Sequence, residues 1–320
     1  MSVADQSRRP VLIVAGPTAS GKSRLAMAAA ETFAGAIINA DSMQVYRELR
    51  VLTARPSAAD EARAPHRLYG VLAAEEACSA GRWAAMAAAE IAAVANAGRL
   101  PIVVGGTGFY VKALVEGLAP IPEIPPEVRA AASSLHAEIG GDAFRKRLAA
   151  LDPESAARLP PGDTQRLVRA YEVAAATGRS LSDWLRAPPR PPLAGARFAT
   201  LVLDPPRETL NRAIDDRLDA MIAAGAVAEV GALLARRLDP SRPAMKAVGV
   251  KELAAYVRGQ CSLEQATAAA KAATRRFAKR QRTWLRTQIA ADFVVSAQYS
   301  ERIEQKIFTF IRQFLLTTGS

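Results

Sequence analysis

Four stretches of the chain hold residue types whose spacing could do chemistry. The first is Gly16-Pro17-Thr18-Ala19-Ser20-Gly21-Lys22-Ser23, which fits G-x-x-x-x-G-K-[ST], the phosphate-cradling loop. Its glycines let the backbone curl so that successive N–H groups face one anion. Lys22 adds a mobile point charge, and Ser23 places a hydroxyl where a phosphate-bound metal ion would take it. A di- or triphosphate is the expected ligand, and ATP is the default guess. The second stretch is Asp41-Ser42-Met43-Gln44, just after the apolar run Ile37-Ile38-Asn39-Ala40. Asp41 reads as a metal holder, as a general base beside the phosphates, or as a helix cap or turn residue. The third is Gly105-Gly106-Thr107, a hydroxyl on a glycine turn. The fourth runs from Lys271 to Arg286 and holds seven basic residues and no acidic one. Within it Arg275, Lys279, Arg282 and Arg286 share one helical face, with Phe277, Gln281 and Trp284 on a neighbouring face. Surface helices usually mix their charges, so a single-sign stripe points to contact with a phosphate backbone. The plainer alternative is a solvated face above Phe277 and Trp284 packed on the core.

These stretches need elements to hold them. Val11–Ala15 reads as a buried strand entering the first loop, and residues 22–33 as the helix leaving it. Residues 35–40 read as a second strand ending at Asp41, and Ala80–Gly98 as a long alanine-rich helix closed by glycine. Leu100–Val104 is a third strand running into Gly105, with a helix over Val111–Glu116. Strand, loop and helix in repetition predict an α/β fold, a P-loop NTPase-like parallel sheet flanked by helices. Ligands sit at the carboxyl ends of such strands, so the first three stretches should converge. Two proline-rich runs, residues 119–126 and 188–192, bracket a block with only helical periodicity. The expected organisation is an α/β core of residues 1–120 and 196–320 with an inserted all-helical domain of residues 121–195. Phe198–Leu203 and Asp292–Val295 read as returning strands, and Glu208–Ala223, Leu263–Ile289 and Tyr299 onward as helices.

Composition narrows the class. The 320 residues suffice for a full core and more than one domain. A net charge of +11 favours a polyanionic partner, although an Ala- and Arg-rich composition raises it too. Cys78 and Cys261, with His66 and His136, are too few and too scattered for a zinc site or a disulfide framework. No apolar run reaches the ~20 residues that span a bilayer. The polar start lacks the apolar core of a signal peptide. The expectation is a cytoplasmic monomer without a membrane partner.

Six blocks occur in a fixed order: Gly16–Ser23, Asp41-Ser42-Met43-Gln44-Val45-Tyr46, Pro65-His66-Arg67-Leu68, Gly105-Gly106-Thr107, Asp163-Thr164-Gln165-Arg166, and Ala278-Lys279-Arg280-Gln281-Arg282-Thr283-Trp284. Together they resemble the tRNA dimethylallyltransferase family, also called tRNA isopentenyltransferase, from about residue 11 to about residue 290. The resemblance implies the reaction. Dimethylallyl diphosphate binds the loop, and the exocyclic amine of the adenine 3′-adjacent to the anticodon attacks the allylic carbon. Diphosphate then leaves with Mg2+. On that resemblance Gly16 through Ser23 and Arg217 bind the diphosphate, Ser23 meets the metal, and Lys22, Asp41 and Thr107 are catalytic. A salt bridge from Arg217 to Asp215 or Asp216 is the competing reading.

The tRNA anticodon stem-loop would meet Asp41, Ser42, Met43, Gln44, Thr107 and Arg129. It would also meet Gln165, Arg166, Leu167, Val168 and Arg169, then Lys246, Ala247, Val248, Gly249, Val250 and Lys251, and Arg276 and Arg280 of the basic helix. The chain departs from the family pattern at Leu52, Gly108, Phe109, Val250 and Lys251. It also lacks the Cys/His finger of longer eukaryotic relatives, which resembles the shorter bacterial form. Two other readings remain open on the residues alone: a small-molecule kinase with Asp41 as base, and an RNA-binding NTPase switch. The basic helix and the helical insert count against the first, and the missing second acidic strand end against the other.

Overall fold

The computed structural model describes residues 9–317. The polar segment read above as no signal sequence falls almost wholly outside them. In chain order the elements begin with β1 (Arg9–Ala15), α1 (Lys22–Thr32), β2 (Gly35–Asn39), α2 (Ala58–Arg63), β3 (His66–Arg67), α3 (Ala80–Asn96), β4 (Leu100–Gly105) and α4 (Gly108–Val115). The helical segment follows with α5 (Pro126–Ala149), α6 (Pro153–Arg158), α7 (Thr164–Thr177) and α8 (Leu181–Leu185). Then come β5 (Ala196–Leu203), α9 (Arg207–Ala223), α10 (Ala226–Ala235), α11 (Val250–Val257), α12 (Leu263–Gln288), β6 (Phe293–Val295) and α13 (Glu301–Leu316). A short 3-10 turn occupies Pro243–Lys246.

Among the described residues the strands form one sheet in the order β3-β2-β4-β1-β5-β6, and every pairing is parallel. Parallel strands need crossovers and are covered on both faces, so their residues run apolar without alternation. All five residues of β2 and all six of β4 are buried. Leu12, Val14, Leu25, Ile37, Ile102, Leu201 and Leu203 form the centre of the core, and Ile307, Phe308, Ile311 and Phe314 of α13 close it. β1 lies between β4 and β5, with Ala15 opposite both Gly105 and Val202. That register sets the ends of β1, β2 and β4 side by side. β3 is the one strand the sequence did not show, since two residues carry too little pattern to read, and the short helices α2, α10 and α11 were not read either. α4 begins at Gly108 rather than Val111, because the Thr107 carbonyl accepts from the N–H groups of Tyr110 and Val111.

Local chemistry sets the long helices. Ser262 and Gln265 form a reciprocal capping box at the start of α12, and Asp163 accepts from the Arg166 N–H at the start of α7. No single helix among the described residues is long and apolar enough to cross a membrane.

The chain divides into two compact units, residues 1–115 with 192–320, and residues 116–191. The second unit has its own core of Ala132, Phe144, Leu148, Leu159, Leu167 and Val168. Its two chain ends meet where the Arg190 N–H donates to the Leu118 carbonyl at 3.0 Å.

Candidate active site

The glycine loop leaves β1 and is set by two left-handed residues, Ala19 (φ 64°) and Gly21 (φ 89°). A side chain at Gly21 would be strained in that conformation and would meet Tyr299 at 3.0 Å. Two loop amides are used internally. The Ser20 N–H donates to the Pro17 carbonyl at 3.2 Å, and the Thr18 N–H to Gln281 Oε1 at 2.8 Å. Among the described residues the N–H groups of Gly21, Lys22 and Ser23 have no protein acceptor, as expected for the first turn of a helix. They form the anion-facing end of α1. The Ser20 hydroxyl is fully buried and also has no hydrogen-bond partner.

Charge concentrates at the same place. Lys22 is half-buried, and its Nζ donates to the Pro17 carbonyl at 3.3 Å. Burial pushes its ammonium down from 10.5 to about 8; Asp41 opposes that shift and Arg217 adds to it. Arg217, from α9, donates to the Thr18 hydroxyl, while Asp215 is taken by Arg275. The competing reading of Arg217 as a surface salt bridge therefore fails. Burial lowers the Arg217 guanidinium too, with Asp41 again opposing. Two partly desolvated cations thus share a single carboxylate, a balance that an anion at the loop would complete.

Asp41 sits one residue past Ala40, at the carboxyl end of β2. Its Oδ1 accepts from the Met43 N–H at 2.9 Å, and its own N–H donates to Asn39 Oδ1 at 2.8 Å. This is the turn geometry anticipated as the alternative for Asp41, and it holds the carboxylate in place without using its second oxygen. The Thr107 N–H donates to the Ala40 carbonyl at 3.3 Å. Its hydroxyl accepts from the Ser42 N–H at 3.0 Å and lies 3.3 Å from the Ser42 hydroxyl. Thr107 thus ties the end of β4 to the Asp41 loop. Gln44 donates through Nε2 to the carbonyls of Thr53 and Ala54 at 2.7 and 3.1 Å. A cavity of about 590 Å³ runs beside α1, with Ser23, Met27, Ile37, Gln44, Tyr69 and Val104 in its lining. Burial and the nearby Asp41 charge push the Tyr69 phenol above its usual range.

The basic helix corrects one expectation. Lys271 pairs with Asp219 at 2.7 Å, Arg275 with Asp215 at 2.6 Å, and Arg282 with Asp204 at 2.6 Å; Arg286 reaches the same Asp204. The stripe of Arg275, Arg282 and Arg286 is therefore not a single-sign surface, because its acidic partners come from α9 and the end of β5. Arg276, Lys279 and Arg280 are the exposed cations of this stretch without an acidic partner among the described residues, with Arg280 lying over the Phe277 ring. Gln281 is buried (6 % exposed) and had been read only as part of a neighbouring face. The available signal was its register: Ala266, Ala270, Ala278, Gln281 and Leu285 are the buried positions of α12, and one of them is a primary amide.

The remaining anticipated contacts divide by burial. Lys246 and Lys251 are exposed and Val248 is half-buried, but Ala247 and Val250 are core residues, so their side chains do not face a partner. Gly249 is left-handed (φ 96°), and Leu52 packs over it, 3.0 Å from where a Cβ would stand. The unusual Leu52 thus covers this glycine turn. Glu229 of α10 was not found from the sequence. Its carboxylate accepts from the N–H groups of Arg50, Val51 and Leu52 at 2.7, 2.7 and 2.9 Å, and so anchors the loop that holds Gln44. In the helical unit Gln165, Arg166 and Arg169 reach solvent, whereas Leu167 and Val168 belong to its core. Arg169 pairs with the buried Glu172 at 2.6 Å, and Arg129 lies 3.9 Å from that carboxylate.

A magnesium ion is implied by the diphosphate reading. Among the described residues no group of three or more His, Cys, Asp or Glu could cage a metal. Mg2+ keeps several waters and is commonly held by one or two protein oxygens plus substrate phosphates. The exposed Ser23 hydroxyl on the first turn of α1 fits that donor set.

The comparisons with known proteins give the family and the fold. The family model for IPP transferase matches residues 44–288, which begins after the glycine loop. The tRNA dimethylallyltransferase of Rhodospirillum rubrum is 54 % identical over 99 % of both chains, glycine loop included. The full-length tRNA isopentenylpyrophosphate transferase of Bacillus halodurans superposes with a TM-score of 0.69 at 28 % identity, over 98 % of each chain. A eukaryotic dimethylallyltransferase acting on tRNA shares the fold, with a TM-score of 0.82 at 24 % identity, over 97 % of this chain and 80 % of that one. By sequence and by fold, this chain belongs to the IPP transferase family, the tRNA dimethylallyltransferases.

Proposed function

We propose that this chain transfers a dimethylallyl group from dimethylallyl diphosphate to the exocyclic amine of the adenine 3′-adjacent to the anticodon of a tRNA. A carbon–nitrogen bond forms as the allylic carbon–oxygen bond breaks, diphosphate departs, and the amine loses one proton. The observation that carries this reading is the charge cluster of Lys22 and Arg217 about the glycine loop, with Asp41 acting on both. The leaving diphosphate gains negative charge, and the Gly21, Lys22 and Ser23 amides with both cations stabilise that charge as it develops. Ser23 is the residue that would hold Mg2+ at the loop, and the ion would supply further positive charge to the departing diphosphate.

Asp41 supplies the other half. Its Oδ1 is held by the Met43 N–H, which leaves the second oxygen to accept the amine proton. Thr107 holds the Ser42 backbone and so orients the Asp41 loop. An adenine in an anticodon loop must be unstacked to reach these groups, and the Asp41–Gln44 loop is the wall it meets. The cavity beside Ser23, with Met27, Ile37 and Val104 in its lining, offers apolar surface to a five-carbon chain. Exposed cations Arg276, Arg280, Lys246 and Lys251 in the core unit, and Arg166 in the helical unit, with the half-buried Arg169, meet the RNA backbone in this reading. The protein acts as a cytoplasmic monomer.

The test is direct. The full chain is incubated with Mg2+, an unmodified tRNA carrying the anticodon-adjacent adenine, and labelled dimethylallyl diphosphate. Label is expected in the tRNA, and Asp41→Ala should abolish transfer while tRNA binding persists. ATP hydrolysis without prenyl transfer would reject the proposal, and full turnover by Asp41→Ala would remove the base.

A further inference from the structure

The two halves of the candidate site hang on different strands. The glycine loop follows β1, and the Asp41–Thr107 pair follows β2 and β4. One side chain joins them. Gln281 Oε1 accepts from the Thr18 N–H at 2.8 Å, and Gln281 Nε2 donates to the Gly106 carbonyl at 2.9 Å. Gly106 immediately precedes Thr107, and Thr18 is also the residue that receives Arg217. The fit is close: a Cβ at Gly106 would lie 2.3 Å from Gln281 Nε2. The amide lies on the buried face of α12, flanked by the buried Ala278 and Leu285.

We infer that Gln281 is a positioning residue for the transfer step. It fixes the spacing between the loop that would hold the leaving diphosphate and the loop that would hold the attacking amine. The inference rests on the function proposed above. Three features favour it over a purely structural role. Both partners are main-chain groups of the site loops themselves. The Thr18 N–H is taken out of the anion-facing set, so the diphosphate is met by Gly21, Lys22 and Ser23 instead. The amide also sits on the helix that carries the exposed Arg276 and Arg280, so RNA contact and loop spacing share one rigid element. Transfer between two bound substrates depends steeply on the distance between reacting atoms, and a shift of about 1 Å can cost about 100-fold in rate.

The experiment uses the full chain and Gln281→Met, which keeps size and burial but makes neither hydrogen bond. Single-turnover prenyl transfer, tRNA affinity and inorganic pyrophosphate affinity are measured separately. The expected result is a transfer rate lowered by about 10- to 100-fold, with tRNA affinity within about twofold of wild type and pyrophosphate bound more weakly. A rate within about twofold of wild type overturns the inference; so does loss of rate that is matched by loss of tRNA affinity, which would make Gln281 a docking residue. Gln281→Glu provides a second variant if Gln281→Met does not fold. It keeps the acceptor for Thr18 but presents an oxygen to the Gly106 carbonyl, and it too should slow transfer while binding tRNA; wild-type transfer by Gln281→Glu overturns the inference. If the wild-type chain itself transfers no prenyl group, the proposed function fails, and the pyrophosphate measurement still decides whether Gln281 shapes the loop: unchanged affinity in both variants rejects it.

Discussion

Lys22 should cost the fold stability in order to serve the site, and the size of that cost follows from its titration. Burial lowers its pKa from 10.5 to about 8, even with Asp41 pulling the other way. At about 1.36 kcal/mol per pH unit the difference corresponds to about 3 kcal/mol. The side chain is half-buried rather than enclosed, and solvent screening reduces the effect to about 1–2 kcal/mol. The direction is set by which state holds the proton. Below about pH 8 both folded and unfolded chains carry it, so the whole cost of burying an ammonium is present. Between about pH 8 and 10.5 the unfolded chain alone retains the proton, so this group's contribution to stability rises with pH. Above 10.5 both states are neutral and the penalty is gone. Lys22→Met replaces the ammonium by a neutral chain of similar length. Near pH 7 the variant should be more stable than wild type by about 1–2 kcal/mol in urea unfolding, and the gap should shrink by more than half by about pH 9.5. Prenyl transfer should be lost. A variant no more stable than wild type near pH 7, or a gap that does not close with rising pH, would refute the reasoning.

Two further outcomes follow from the same geometry. Arg276→Ala with Arg280→Ala should weaken tRNA binding and reduce its salt dependence by about 1.5 in log–log slope, whereas Arg282→Ala, removing a cation already held by Asp204, should leave the slope unchanged. An unchanged slope in the double variant would show that these arginines only meet solvent. Gly108→Ala would set a methyl group 2.1 Å from the Trp284 ring, and it should destabilise the chain by about 1–3 kcal/mol in denaturant unfolding, with a shifted tryptophan emission. Trp284→Leu in the same chain should recover part of the loss, and a neutral Gly108→Ala would mean that the ring gives way freely.

Two of the five departures from the family pattern, Gly108 and Leu52, acquire reasons once packing is visible. Gly108 lies against the Trp284 ring, and Leu52 packs over Gly249. Each unusual residue is matched by the shape of a neighbour distant in sequence. Pattern reading along the chain sees only one member of such a pair.

The sequence by itself determined the glycine loop, five of the six strands and the helical periodicity between the two proline-rich runs. Those features depend on local rules: hydrophobic runs, the conformational freedom of glycine at Gly21, and caps such as Ser262 with Gln265. It also determined which segments would follow the strand ends, because a parallel sheet puts the glycine loop, Asp41 and Thr107 at one edge. What only the tertiary structure decided is how charge and hydrogen bonds pair across that edge. Arg275, Arg282 and Arg286 look like an unpaired basic stripe until Asp215 and Asp204 arrive from other elements. Arg217 chooses the Thr18 hydroxyl over its neighbouring aspartates, and Gln281 and Glu229 meet partners far along the chain that their own register does not name. Periodicity reports which face of an element is buried; the partner that a buried polar group meets is set by packing between elements far apart in the chain.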